Sequence, residues 1–198
     1  MDFRALIVIM MSAALVNNYV LRQFLGVCPF LGVSKDLKSS VGMGLAVMFV
    51  MILAAAATWP IQVFLLDAND LGFMQTVVFI LAIASLVQIV EIVLKRYIPA
   101  LYASLGVYLP LMTTNCAVLA VAISNINRGY SFIEAVVNAV GAGLGFLLAM
   151  VIFTGLREQT EAADPPDAFK GVPITLLTAA ILSIAFFGFE GVIENLFG

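Results

Sequence analysis

The chain has 198 residues, of which 63% are hydrophobic and 11% charged, with a net charge of -3 and a mean hydropathy of +1.13. Long apolar runs separated by short charged loops define a polytopic membrane protein and exclude an ordinary soluble domain. No basic patch points to nucleic acid, and the absence of histidine removes the commonest general base and metal ligand, leaving cysteine and carboxylates as the strong ligands.

The first apolar run covers residues 5–33 and holds one charge, Arg22. A signal peptide would be shorter. As one helix the run would reach about 43 Å, well beyond a hydrocarbon core of about 30 Å, so a break is expected. Gly26, Pro29 and Gly32 bracket Cys28 and place the expected break around that cysteine. Residues 41–59 and 73–94 read as spans two and three, joined by a loop with Asp67 and Asp70 and followed by Lys95 and Arg96. The fourth run, 98–123, is again overlong at about 39 Å. It contains Pro110 and buries Thr113, Thr114 and Asn115 next to Cys116, a polar cluster that needs partners or a purpose inside a membrane. It too reads as a broken helix. Span five is 135–156, the polar loop REQTEAADPPDAFKG follows, and span six is 172–193. The expected fold is all-α: one membrane domain, 1–198, with six transmembrane helices of which the first and fourth break near the midplane.

The two cysteines stand at matching places. Cys28, Leu31 and Val33 match Cys116, Leu119 and Val121 at an offset of 88, while Gly42, Gly44, Leu45, Met51, Thr76, Glu91 and Val93 match Gly141, Gly143, Leu144, Met150, Thr175, Glu190 and Val192 at 99. One insertion around NINRGYSF reconciles the offsets. Each half, about 1–96 and 97–198, holds three spans; an odd number makes the halves cross in opposite directions, as an inverted repeat. Arg22, Lys35, Lys38, Lys95, Arg96, Arg157 and Lys170 fall on one side and Arg4 and Arg128 on the other. The excess of basic residues makes the first side cytoplasmic and puts both termini outside.

An inverted repeat brings equivalent positions together at mid-membrane, so Cys28 and Cys116 should face each other. Their residue type leaves several readings open: buried small hydrophobes, a disulfide, or half of a thiolate metal site whose remaining ligands come from a partner. For ion movement the candidates are Glu91, Glu190, Asn17, Asn18, Thr113, Thr114 and Asn115. Each has a plainer reading: Glu91 and Glu190 lie near the ends of their spans, and Asn and Thr beside a break serve as caps for freed backbone groups. No glycine-rich dinucleotide fingerprint and no ferredoxin-like cysteine run is present, so no direct NAD binding is expected. A secondary transporter without redox chemistry shares this plan and is the alternative function.

The stretches VNNYVLRQFLGVCPFLGVSKDLKSSVGMGLA, LGVYLPLMTTNCAVLAVA and ADPPDAFKGVPITLLTAAILSIAFFGF resemble the A subunits of Rnf ion-translocating electron-transport complexes, and beyond them the E subunits of sodium-translocating NADH:quinone reductases. The resemblance covers essentially the whole chain. It implies a six-helix subunit of the bacterial or archaeal cytoplasmic membrane, packed against a homologous subunit of opposite orientation. The two would share one [2Fe-2S] cluster, to which Cys28 and Cys116 are the ligands from this side. The implied complex passes electrons between ferredoxin and NAD while moving Na+ or H+, with the nucleotide chemistry in other subunits.

Overall fold

A computed structural model describes residues 3–34, 36–69, 72–97, 115–163, 166 and 169–188. The described elements are helical: α1 (Phe3–Met11), ending in a π-helical turn (Ser12–Val16), α2 (Val27–Val33), α3 (Leu37–Ile61), α4 (Gln75–Tyr97), α5 (Cys116–Asn127), α6 (Phe132–Ala162) and α7 (Val172–Phe187). Three stretches are long and apolar enough to cross a membrane, Leu37–Leu66, Gly72–Val93 and Phe132–Thr160, and three shorter apolar helices accompany them. The three long stretches correspond to the expected spans two, three and five, the second ending one residue short of the expected 94. Runs one, four and six appear as the shorter helices, and residues 98–114 and 189–198 lie outside the described part.

Two of the long helices outrun their expected ends for local reasons. Pro60 sits in the last turn of α3, where its missing N–H and its ring disturb the ladder, and the chain continues through a π-helical turn, Gln62–Leu66, instead of stopping. At the start of α6 Ser131 and Glu134 form a reciprocal capping box that fixes the helix one turn before its apolar stretch.

The centre of the fold is α3 against α6, running antiparallel. Lipid tails are as apolar as leucine, so helices in a bilayer associate through close packing, which small residues permit. A Cβ on Gly44 would stand 3.2 Å from the Leu147 Cα, and one on Gly143 would stand 2.9 Å from the Met48 Cα. Gly143 lies 99 positions after Gly44, and Leu147 lies 99 after Met48, so each contact is the image of the other in the sequence register. Burial follows the same register: the eight buried α3 positions from Ser40 to Ala55 all have buried counterparts 99 residues later, from Ala139 to Thr154. The outer helices follow the register less closely: Ile83 and Leu182 are a buried pair 99 residues apart, but Phe79 and Val87 of α4 and Thr175, Ala179 and Ser183 of α7 have counterparts that are half-buried or exposed.

The sides of the bundle sort by contact. At one end Trp59 meets Phe132 with ring centroids 5.6 Å apart and donates to the Tyr130 carbonyl at 2.9 Å. At the other the Ser40 and Thr154 hydroxyls are 2.8 Å apart. α1 runs parallel to α6, because a Cβ on Gly141 would lie 2.6 Å from the Met10 carbonyl and one on Gly145 2.6 Å from the Ala14 carbonyl. Arg4 therefore shares the Phe132 end with Arg128, and Lys38 and Arg157 share the opposite end. α4 packs on α3 and α5, and α7 on α6 and the turn that closes α1. The remaining face of α4 exposes Ile80, Leu81, Ile89 and Ile92.

The first helix does break, but ahead of the expected place. The chain unwinds from Asn17 to Gly26, and Cys28 and Pro29 are already inside α2. Pro29 is the third residue of that helix, and the first turn has no intrahelical use for its N–H. The proline thus starts a helix where the composition suggested that it ends one. Arg22, expected among the residues of one membrane face, sits within this unwound stretch instead.

Candidate functional site

The unwound stretch is held by its own polar residues. Asn18 is 2% exposed; its Nδ2 donates to the Gly145 carbonyl at 2.8 Å and to the Ala14 carbonyl at 3.3 Å. Its Oδ1 accepts from the backbone N–H of Val20 at 3.0 Å and of Leu21 at 3.2 Å. One side chain thus serves backbone groups that leave the helical ladder, as buried non-helical backbone in a membrane requires. Asn17 donates to the Ser12 hydroxyl at 3.1 Å and accepts from Arg22 Nη1 at 3.0 Å, while the Arg22 guanidinium lies 5.9 Å from the Phe187 ring centroid. The Ser183 hydroxyl, from α7, donates to the Leu21 carbonyl.

The stretch closes at Gly26, whose φ of +78° is a left-handed conformation that glycine adopts without penalty. The same residue has a second reason to lack a side chain. A Cβ there would lie 3.0 Å from Asn115 Oδ1, 3.2 Å from the Ala117 Cβ and 3.2 Å from Phe146 Cε2. Asn115 and Ala117 flank Cys116, and Gly26 precedes Cys28 by two residues. Phe146 is 14 positions from either end of the apolar stretch Phe132–Thr160, so this meeting point lies at mid-span.

Both cysteines occupy first turns of the helices that leave this point. Cys116 opens α5, whose N-cap Asn115 accepts from the Ala117 N–H at 3.0 Å. Asn115 is 5% exposed, and its Nδ2 has no hydrogen-bond partner. Cys28 lies one residue inside α2. Neither cysteine forms a disulfide, and both are exposed on the surface of the chain. Among the described residues no group of three or more Cys, Asp or Glu side chains could hold a metal ion. Two exposed thiols, in first turns of helices that start from one point, are the donor type that half of a four-thiolate iron-sulfur site needs.

The ion-pathway candidates divide. Asn115 caps the start of α5, whereas Asn17 and Asn18 stand where the first helix unwinds: Asn18 bridges backbone groups and Asn17 joins the Ser12 and Arg22 side chains. Glu91 is half-buried near the far end of α4 and accepts from Gln88 Nε2 at 3.4 Å, away from that point. Thr113, Thr114 and Glu190 lie outside the described residues. Sequence reasoning missed Ser183 and the glycines that admit α1, although the Gly141 to Gly145 spacing is the small-xxx-small signal of close helix approach.

Among the described residues, an all-helical bundle with a hydrogen-bonded helix interruption at mid-span defines a class, that of polytopic membrane proteins with interrupted helices. The particular family follows from comparison: residues 6–193 match the family described as Rnf-Nqr subunit, membrane protein, and the chain belongs to it. It is 58% identical over 186 residues to the A subunit of the Na(+)-translocating ferredoxin:NAD(+) oxidoreductase complex of Acetobacterium woodii, covering 94% of this chain and 97% of that one. It is 51% identical over 190 residues to the A subunit of the ion-translocating oxidoreductase complex of Syntrophotalea carbinolica, covering 96% and 98%. With the A subunit of the same kind of complex from Azoarcus sp. it shares 50% over 189 residues, covering 96% and 98%. The resemblance carried by the motifs around both cysteines thus extends along nearly the whole chain.

Proposed function

We propose that this chain is the A subunit of an Rnf ion-translocating ferredoxin:NAD oxidoreductase complex in the cytoplasmic membrane, and that Cys28 and Cys116 are half of the ligands of a [2Fe-2S] cluster. A homologous subunit of opposite orientation supplies the other half. The observation that carries the reading is the contact of Gly26 with Asn115 and Ala117 at mid-span, which ties the Cys28 and Cys116 backbones together while leaving both residues exposed. A cluster bound there would supply a one-electron stop at the centre of the membrane. What the chain itself does is hold two thiolates at a fixed separation, keep the non-helical backbone hydrogen-bonded through Asn18 and Asn115, and present an apolar surface to lipid and partner. The reciprocal contacts Gly44–Leu147 and Gly143–Met48 support reading the whole chain as two inverted three-helix halves. The shared end of Arg4 and Arg128, opposite Lys38 and Arg157, supports placing both termini outside.

The test is Cys28→Ser and Cys116→Ser in the intact complex. Serine keeps the size of the side chain but is a far poorer ligand for iron. Each variant should assemble, keep NADH-driven reduction of artificial acceptors, and lose both ferredoxin-linked turnover and the ion gradient. Wild-type ion pumping in an assembled Cys116→Ser complex would sink the proposal.

A further inference from the structure

The helices that carry the two cysteines are unequally supported. α5 has 12 residues, a side-chain N-cap from Asn115, and Ala117, Val118, Val121, Ala122 and Asn125 buried. α2 has seven residues and no side-chain cap at Gly26. None of its described side chains is buried: Val27 and Leu31 are half-buried, and Cys28 and Gly32 are exposed. A helix under two turns does not hold itself, and among its described side chains Leu31, half-buried against the core, makes its apolar contact.

Polar support comes from α6. Arg157 Nη1 donates at 3.0 Å to the Leu31 carbonyl and at 3.0 Å to the Ser34 hydroxyl, across 126 and 123 residues of sequence. Leu31 belongs to the last turn of α2, where carbonyls have no intrahelical partner and a positive charge complements the helix dipole. Ser34 is 1% exposed, so the second acceptor is enclosed by protein. The other end of α2 is fixed by the same helix, since Gly26 lies against Phe146. Phe146 and Arg157 stand about 16 Å apart along α6, against about 12 Å from Gly26 to Ser34 at helical rise. One rigid helix therefore grips α2 at both ends. The position 99 residues before Arg157 is Thr58, which donates to the Ala54 carbonyl of its own helix.

Resting on the cluster reading above, we infer that Arg157 is the positioning residue for Cys28: it sets the rotation of α2 and thereby the direction in which that thiolate meets the shared metal site. Turning α2 by a single residue would swing the sulfur through about 100°.

The experiment uses the whole purified complex with Arg157→Gln, Arg157→Lys and Ser34→Ala. Arg157→Gln should leave the NADH-side rate unchanged. It should cause a severalfold loss of the intramembrane cluster's electron paramagnetic signal, with a broadened line and a shifted midpoint potential in what remains. Ser34→Ala, which removes one of the two acceptors, should shift line and potential in the same direction by less, and it decides the matter if Arg157→Gln does not assemble. Arg157→Lys should recover most of the signal. A wild-type line shape and potential in the Gln variant, or in Ser34→Ala where that variant decides, would overturn the assignment, as would no recovery with Lys. A wild-type complex without any such signal would instead refute the cluster reading. Arg157 is then judged by joining Cys28 to Cys116 with a short bis-thiol reagent, whose yield should fall severalfold in Arg157→Gln and return in Arg157→Lys. An unchanged yield overturns the inference.

Discussion

Gly26→Ala is the sharpest perturbation of the mid-span contact. The left-handed backbone at φ +78° costs a residue with a Cβ about 1–2 kcal/mol. The added methyl would also stand 3.0 Å from Asn115 Oδ1 and 3.2 Å from both Ala117 Cβ and Phe146 Cε2, and overpacking of that kind costs about 1–3 kcal/mol. Both costs fall on one backbone position, so the substitution should destabilise the subunit by about 2–5 kcal/mol or push α2 away from α5. Either response separates the two thiols. Gly32→Ala is the internal control, because that glycine is helical and a Cβ there meets nothing within 4 Å. It should be neutral or stabilise by about 0.5–1 kcal/mol. The assay is iron per purified complex together with the temperature of half-inactivation of ferredoxin-linked turnover. Gly26→Ala should lower both, and Gly32→Ala neither. A Gly26→Ala complex with wild-type iron and wild-type thermal inactivation would refute the argument that the two helices meet at this glycine.

Gly44→Leu and Gly143→Leu should destabilise the detergent-solubilised complex to a similar degree, because each makes the other's contact one repeat away; a large inequality in thermal unfolding would contradict the reciprocal packing of α3 and α6. Asn18→Leu leaves the Gly145 carbonyl and the Val20 and Leu21 N–H groups without their side-chain partner, at about 1–3 kcal/mol for each buried group left unpaired. Assembly at growth temperature should fail, and an assembled complex with normal turnover would show that the stretch closes by other means. Glu91→Gln should pump ions at the wild-type rate in inverted vesicles, since this half-buried side chain meets Gln88 away from the mid-span site; uncoupled electron transfer in that variant would place it on the ion path.

Much of this was legible in order of residues. Run length alone announced that residues 5–33 could not be one straight helix, and the paired Gly-x-Gly-Leu motifs announced the register that reappears as Gly44 on Leu147 and Gly143 on Met48. The position of the break was not legible. Pro29 reads as a breaker from composition, yet in a first turn it does no harm, and the residue that closes the unwound stretch is Gly26. Asn17 and Asn18 stood out as buried polar residues, but Asn18 is explained only by the carbonyl of Gly145, 127 residues away. No local pattern encodes such a partner. For α4 and α7 the register holds in the packing partners, α3 and α5 for the one and α6 and the turn after α1 for the other, but only in part in burial, where Ile83 and Leu182 are the buried pair. Arg157 carried no sequence signal beyond its charge at a span end, and only the fold shows it reaching Leu31 and Ser34.

The most direct test of the central claim is a reductive titration of the purified complex followed by electron paramagnetic resonance, with wild type, Cys28→Ser and Cys116→Ser compared at equal protein content. The account predicts one [2Fe-2S] signal in the wild type that is missing from each single variant, with every other cluster and flavin signal intact. A full set of signals in an assembled Cys28→Ser or Cys116→Ser complex would contradict it.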